Sequence, residues 1–238
     1  MRDRQVAWPQ WSFRCDPRSE QHQSFRKGAI RLAEWNHILP EKAYSLEEPD
    51  ESVISLAKSL PKGKTALDLA CGAGRHVIYL AEQGFDVTGA DVSITGLEMT
   101  KERLQKRNLR ANLVKCDMNH LPYAKSCFAI IICTRVIYHQ RLKNIQKTLP
   151  EIRRVMKRNG VLLIDFLSKN TYNYGKGVRI EEGTFMEHEG REKGIIHHYN
   201  DEQELEQLFL DFNDLRMSLQ EREIDGKLRS RWVVTATS

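Results

Sequence analysis

A glycine-containing stretch with an acidic residue before it is the clearest chemical signal in the chain. Asp68 is followed by Gly72 and Gly74 where a short apolar segment gives way to a helical pattern. Glycine lets the backbone approach a ligand closely, and the free amides at the start of a helix favour an anionic group. The spacing therefore predicts a loop that passes beneath a charged ligand.

Two more acids follow the next two predicted strands. Asp91 ends the second strand, where its carboxylate can accept hydrogen bonds from both hydroxyls of a ribose. Asp117 follows the third strand and could accept from an exocyclic adenine amine, while Met118 packs on the base. A solvated turn explains each acid alone, but acids at three successive strand ends indicate one nucleoside site. A dinucleotide fingerprint needs a third glycine where Val77 stands, so we do not expect NAD.

The elements that must position these acids alternate between strand and helix patterns. The predicted strands cover residues 65–69, 85–90, 111–115, 128–133, 161–166, 215–224 and 227–237. Asp225-Gly226 between the last two is a strong signal for a two-residue hairpin. The pattern predicts an α/β, Rossmann-like fold: a doubly wound, mostly parallel seven-stranded sheet that ends in an antiparallel hairpin.

The remaining segments are less regular. Thr148-Leu149-Pro150-Glu151 has the spacing of a capping box, so we expect a helix to start or kink there and to end at Asn159-Gly160. Residues 168–199 show little periodicity and are expected to be an irregular insertion or lid. Residues 1–49 are expected to be a helical, aromatic extension and a candidate lid, and 50–238 a single domain. The aromatic residues of the extension, which would serve as core, interface or flap, are Trp8, Trp11, Phe13 and Trp35.

Three stretches together resemble the class I S-adenosylmethionine-dependent methyltransferases of the small-molecule type. They run from Leu67 to His76, from Gly84 to Ser93, and from Glu151 to Gly160. The resemblance covers residues 50–167 well and the rest by architecture. It implies one methyltransferase domain over residues 50–238, with S-adenosyl-L-methionine as cofactor and a small molecule as methyl acceptor.

The resemblance also implies roles for single residues. Asp68 would organise the loop near the methionyl amino group, and Gly72 and Gly74 would carry the backbone beneath the cofactor. Asp91 would hold the ribose, with Val92 against the adenine. The complete set implied for the cofactor is Asp68, Ala70, Gly72, Gly74, Asp91, Val92, Asp117, Met118 and Thr134. The chain departs from the family pattern where Ala70 replaces a frequent glycine and Ala129 a frequent acid.

The acceptor side is expected just after the fourth strand. Thr134 would offer its backbone to the methionyl end there, and Tyr138 and His139 are the candidate catalytic residues. His139 is the candidate base because an imidazole titrates near pH 6.5. A histidine that caps or orients a helix explains the same residue.

A second histidine-containing segment raises the question of a metal. His197-His198-Tyr199 follows His188 and Glu187. Adjacent residues of a strand point to opposite faces, so only one of the two neighbouring histidines could share a site with a third ligand. No metal is expected.

Composition limits the other classes of function. The 238 residues are 40% hydrophobic and 29% charged, and 37 basic residues interleave with 32 acidic ones to give a net charge of +5. We therefore expect no nucleic-acid partner, although RNA methylation is the alternative within enzymes, and a non-catalytic cofactor- or partner-binding protein is the alternative outside them. No apolar run approaches the ~20 residues of a membrane helix, and no secretory signal is recognisable, so a cytoplasmic location is expected. The five cysteines show no metal-ligand or disulfide spacing.

Overall fold

The computed structural model describes residues 35–41, 44 and 46–238 of the chain. Most of the predicted N-terminal extension, including Trp8, Trp11 and Phe13, therefore lies outside the described residues. The helices are α1 (Glu51–Ser59), α2 (Arg75–Glu82), α3 (Ile94–Lys106), α4 (Leu142–Val155) and α5 (Glu202–Leu208). No helix among the described residues is long and apolar enough to cross a membrane.

In the described part of the chain, ten strands accompany these helices. They are β1 (Thr65–Leu69), β2 (Asp86–Asp91), β3 (Asn112–Lys115), β4 (Phe128–Cys133), β5 (Met156–Ser168), β6 (Val178–Glu181), β7 (Thr184–Met186), β8 (Ile196–Asn200), β9 (Asn213–Ile224) and β10 (Lys227–Thr237). Seven of them form the main sheet in the order β3-β2-β1-β4-β5-β10-β9. The first five are parallel, and β10 is antiparallel to both of its neighbours. The predicted fold class is confirmed.

The sheet has a hydrophobic core on each face. In β4, Ile130 and Ile132 pack with α1, α2 and α3 on one face, while Ile131 and Cys133 pack with α4 and α5 on the other. All four side chains are buried, which explains the uninterrupted apolar run in the sequence. Helices on both faces expose the carboxyl ends of the strands as the open edge where a ligand can bind.

The final hairpin has the turn that its sequence predicts. Asp225 and Gly226 have φ values of 51° and 68°, the left-handed pair that a two-residue hairpin turn needs. The strands on either side pair from Ile224 with Lys227 onward.

The structure corrects the expectation that residues 168–199 are irregular. They contain β6 and β7 and most of β8, which pair antiparallel in the order β6-β7-β8. The last residues of β8 then join the end of β5 in parallel, where Leu167 pairs with Tyr199. The strands are too short, and too interrupted by glycine, for an alternating pattern to emerge from the sequence.

The expected start of the helix before β5 was also wrong. Helix α4 begins at Leu142, and Pro150 lies inside it. The Thr148 hydroxyl donates to the carbonyl of Asn144 one turn earlier, so it does not cap a helix end. The chain passes directly from Val155 into β5, which continues through Asn159.

Candidate active site

A cavity of about 1170 Å³ lies at the carboxyl ends of β1, β2 and β4. Pockets of roughly 300–1,000 Å³ are enough for one drug-sized ligand. This cavity therefore has room for two small molecules side by side. The predicted site residues that line it are Ala70, Gly72, Gly74, Asp91, Val92, Met118, Thr134, Tyr138 and His139.

The glycine loop between β1 and α2 owes its shape to left-handed backbone conformations. Gly72 has φ 52° and Gly74 has φ 81°, and Ala70 adopts φ 60° without the freedom of glycine. A side chain on Gly74, the N-cap of α2, would collide with Thr100 of α3. The loop therefore runs tight against α3 and presents backbone to the cavity.

Asp91, the last residue of β2, fixes the loop to the sheet. Its Oδ2 accepts from the Gly72 amide and its Oδ1 from the Ser93 amide, each at 2.7 Å. Burial raises the pKa of Asp91 to about 6 even though both amides favour the ionised form. Each oxygen keeps a second lone pair, so the carboxylate is held in place and can still accept from a pair of hydroxyls.

Asp68 and Asp117 are not among the described residues that line the cavity. Asp68 is buried beneath the loop, with Oδ1 3.8 Å from Nδ1 of His76 and with Oδ2 lacking a partner within the described part. Asp117 Oδ1 accepts from the backbone amide and the side-chain amide of Asn119, both at 2.9 Å. Asp117 holds the neighbouring backbone and Asp68 lies beside His76, and the contacts of both acids with a cofactor stay predictions.

A buried carboxylate between two arginines was missed by sequence reasoning. Arg75 donates to both oxygens of Asp50, at 3.2 and 2.7 Å, and Arg135 donates to Oδ1 at 2.7 Å. Burial alone would raise the pKa of Asp50, but Arg135 and Arg75 hold it below its ordinary value. The three side chains line the cavity with one excess positive charge. Arg75 and Arg135 follow the motif strands, but only the fold brings Asp50 between them.

Aromatic and histidine rings form one wall of the cavity. Trp35 lies 4.9 Å from His139 between ring centroids, and His139 lies 4.6 Å from Tyr138 and 4.8 Å from His197. Burial, followed by the nearby His197, lowers the pKa of His139 to about 3. His139 is therefore neutral near pH 7. Glu192 completes this wall by accepting from His197 Nε2 at 2.9 Å.

Comparison with known proteins finds similarity to methyltransferases. Residues 66–160 match the family model described as a methyltransferase domain. The putative methyltransferase YqeM of Bacillus subtilis is 36% identical over 109 residues, which is 45% of this chain and 44% of that protein. The ubiquinone biosynthesis O-methyltransferase of Rickettsia typhi is 29% identical over 116 residues, 49% of this chain and 46% of that protein. The aligned segment thus spans about half the length of these curated relatives.

Two solved structures have the same fold across most of the chain. A SAM-dependent methyltransferase from Methanosarcina mazei has a TM-score of 0.68 at 21% identity and covers 80% of this chain and 98% of its own. The chain has the same fold as this methyltransferase. A second methyltransferase structure, the 1,6-didemethyltoxoflavin-N1-methyltransferase of Burkholderia thailandensis, has a TM-score of 0.68 at 16% identity and covers 94% of this chain and 92% of its own. The fold expected from the sequence is confirmed, and the expected methyltransferase domain is matched over residues 66–160.

The two neighbouring histidines have different surroundings. His197 lines the cavity, whereas His198 points away and its Nδ1 lies 2.7 Å from the Thr184 hydroxyl. His188 is 59% exposed at a separate place beside Glu189. Among the described residues, no group of three His, Cys, Asp or Glu side chains could hold a metal ion. Strand alternation correctly predicted that His197 and His198 face opposite sides of the strand. Nothing in the sequence indicated that His197 would contact Glu192.

Proposed function

We propose that this protein moves a methyl group from S-adenosylmethionine to a small molecule bound in the same cavity. The observation that carries the proposal is the continuity of that cavity. One space joins the glycine loop and Asp91 to the ring wall at Tyr138 and His139. A site that brings donor and acceptor together gains most of its rate from alignment and from the exclusion of water.

The residues of the cofactor side fit a nucleoside with an amino-acid tail. Asp91 would accept from the ribose hydroxyls because its carboxylate is held by two backbone amides and faces the cavity. The backbone at Gly72 and Gly74 would pass beneath the cofactor, with Val92 and Met118 against the base.

The methionyl end of the cofactor would lie nearer β4. Thr134 would offer its backbone there, and Arg75 and Arg135 supply positive charge for a carboxylate. Asp68 would act from beneath the loop, through its buried position beside His76. When bound, the cofactor supplies an electrophilic methyl group on a sulfonium, and the protein's part is to orient the acceptor in line with it.

A small-molecule acceptor is supported by the wall and by the relatives. Trp35, Tyr138 and His139 present rings that suit a compact organic molecule. Similar proteins include ubiquinone biosynthesis O-methyltransferases and an N1-methyltransferase with 1,6-didemethyltoxoflavin bound.

The proposal is tested in two stages. Calorimetry with S-adenosylhomocysteine should first show saturable binding to the protein. The protein is then incubated with methyl-labelled cofactor and either a metabolite extract or purified cellular RNA, and the labelled product is identified by mass. A labelled small molecule is the expected result. Label in RNA would instead support the nucleic-acid alternative, and tight binding without a labelled product in either pool would indicate a non-catalytic protein.

A further inference from the structure

Five side chains on the acceptor side, four rings and one carboxylate, contact one another in a closed circuit. Ring centroids lie 6.3 Å apart for Tyr44 and Trp35, 4.9 Å for Trp35 and His139, and 4.8 Å for His139 and His197. Glu192 closes the circuit, because Oε1 accepts from the Tyr44 hydroxyl and Oε2 from His197 Nε2, each at 2.9 Å. All five side chains line the cavity. We call this group the Glu192 circuit.

The carboxylate of this circuit stays charged. Burial alone would raise the pKa of Glu192, but the hydrogen bond from His197 and the neighbouring histidines lower it to about 2. Its side chain is still 30% exposed, so part of it faces the cavity. The carboxylate is therefore an anion at every pH at which the protein would work.

Among the described residues, no lysine or arginine is paired with that anion. The ion-pair partner of Glu192 within the described part of the chain is a histidine. The nearest arginine on the same loop, Arg191, pairs instead with Glu41 at 3.3 Å. His139 is neutral near pH 7, because burial and His197 lower its pKa to about 3. A partly desolvated carboxylate without a fixed counter-charge favours a positively charged ligand.

The rings beside Glu192 favour the same kind of ligand. An aromatic face attracts a cation through its quadrupole, and the attraction grows when water is excluded. Trp35, Tyr44 and Tyr138 supply such rings within the same cavity. We propose that the Glu192 circuit is the specificity-determining site for a cationic acceptor, one that carries an ammonium or protonated heterocyclic nitrogen against these rings. This inference rests on the proposed methyl transfer and names its substrate class.

Three probes of similar shape and different charge test the inference. Tyramine is cationic, 4-ethylphenol is neutral, and 4-hydroxyphenylacetate is anionic near pH 7. Each is titrated by calorimetry into protein saturated with S-adenosylhomocysteine, whose sulfur carries no charge. Tyramine should bind about tenfold more tightly than 4-ethylphenol, because one cation–π and charge contact contributes about that factor to the affinity. The anionic 4-hydroxyphenylacetate should bind most weakly.

Variants of the protein test whether the Glu192 carboxylate causes the preference for a cationic probe. Glu192→Gln should bring the affinities for tyramine and 4-ethylphenol within about twofold of each other, because the charge is lost while the shape is kept. Tyr44→Phe removes one hydrogen bond but keeps the charge, so it should keep the ranking. Glu189→Gln, on the same loop and 83% exposed, is the matched control and should behave as the wild type.

Several results would overturn the inference. They are equal affinity for the three probes, failure of tyramine to bind, or an unchanged ranking in Glu192→Gln. If Glu192→Gln does not fold, loss of the ranking in Tyr44→Phe would overturn it. A Glu192→Gln protein that binds S-adenosylmethionine weakly but S-adenosylhomocysteine normally would show that the carboxylate serves the donor's sulfonium, and this too would overturn it. Wild-type protein that does not bind S-adenosylhomocysteine would instead refute the proposed function itself.

Discussion

Replacement of Asp91 by alanine is the sharpest test of the cofactor side. The carboxylate is buried at the end of β2 and lines the cavity. Hydrogen bonds to a charged group contribute about 1.5–3 kcal/mol, so the loss of the ribose contacts should raise the Kd for S-adenosylhomocysteine by roughly 10- to 150-fold.

The same substitution also removes the acceptor for two backbone amides, those of Gly72 and Ser93. A buried amide left without an acceptor costs about 1–3 kcal/mol of folding stability. Part of that cost is offset, because burial raises the pKa of Asp91 to about 6 and removing the group ends the burial of a charge. We therefore expect a folded protein with a lower Tm.

Calorimetry and thermal unfolding measure the two effects separately. Asp86→Ala is the matched control because Asp86 is exposed at the other end of the same strand, and it should bind S-adenosylhomocysteine normally. Wild-type affinity in a folded Asp91→Ala protein would refute the assignment of Asp91 to the ribose.

Three further predictions concern the glycine loop, pH and the candidate base. Gly72→Val should abolish binding of S-adenosylhomocysteine with little change in circular dichroism, because a φ of 52° strains a β-branched residue and the side chain enters the ligand's space. Normal binding in this variant would exclude the loop from the site. Affinity for S-adenosylhomocysteine should fall as pH decreases through about 6, where Asp91 gains a proton and loses an acceptor position, and this dependence should be absent in Asp91→Ala. His139→Ala should lower turnover by less than about tenfold, since burial and His197 lower the pKa of His139 to about 3 and so make it a weak base. A loss of turnover of about 10²–10⁴ would show that His139 is the general base.

The cofactor side could be predicted because its determinants are local. The glycine loop is one contiguous stretch, and Asp91 lies at the end of the very next strand. Parallel strands place their carboxyl ends together, so a sequence that specifies β1 and β2 already brings these residues into one site. The hairpin turn was equally local, since Asp225-Gly226 alone supplies both left-handed residues.

The acceptor side could not be predicted because its contacts join distant parts of the chain. Trp35 meets His139, and Tyr44 meets Glu192, across more than a hundred residues in each case. Neither pair lies in a periodic pattern, and the three short strands that place His197 gave no alternating signal. Helix α4 was misplaced for a related reason: the spacing around Thr148 imitates a cap, but tertiary packing continues the helix through it.

The cofactor side and the acceptor side of the cavity should respond differently to mutation, because different contacts hold them in place. The cofactor side is held by β1, β2 and α3, whose side chains also build the core between the sheet and one layer of helices. The acceptor side is held by Trp35, Tyr44, the loop at Glu192 and β8, which contact one another through hydrogen bonds and ring contacts. Mutations without shared partners act nearly additively. Substitutions at Glu192 and Tyr44 should therefore change which acceptor is bound while the affinity for S-adenosylhomocysteine stays constant, and substitutions at Asp91 should do the reverse.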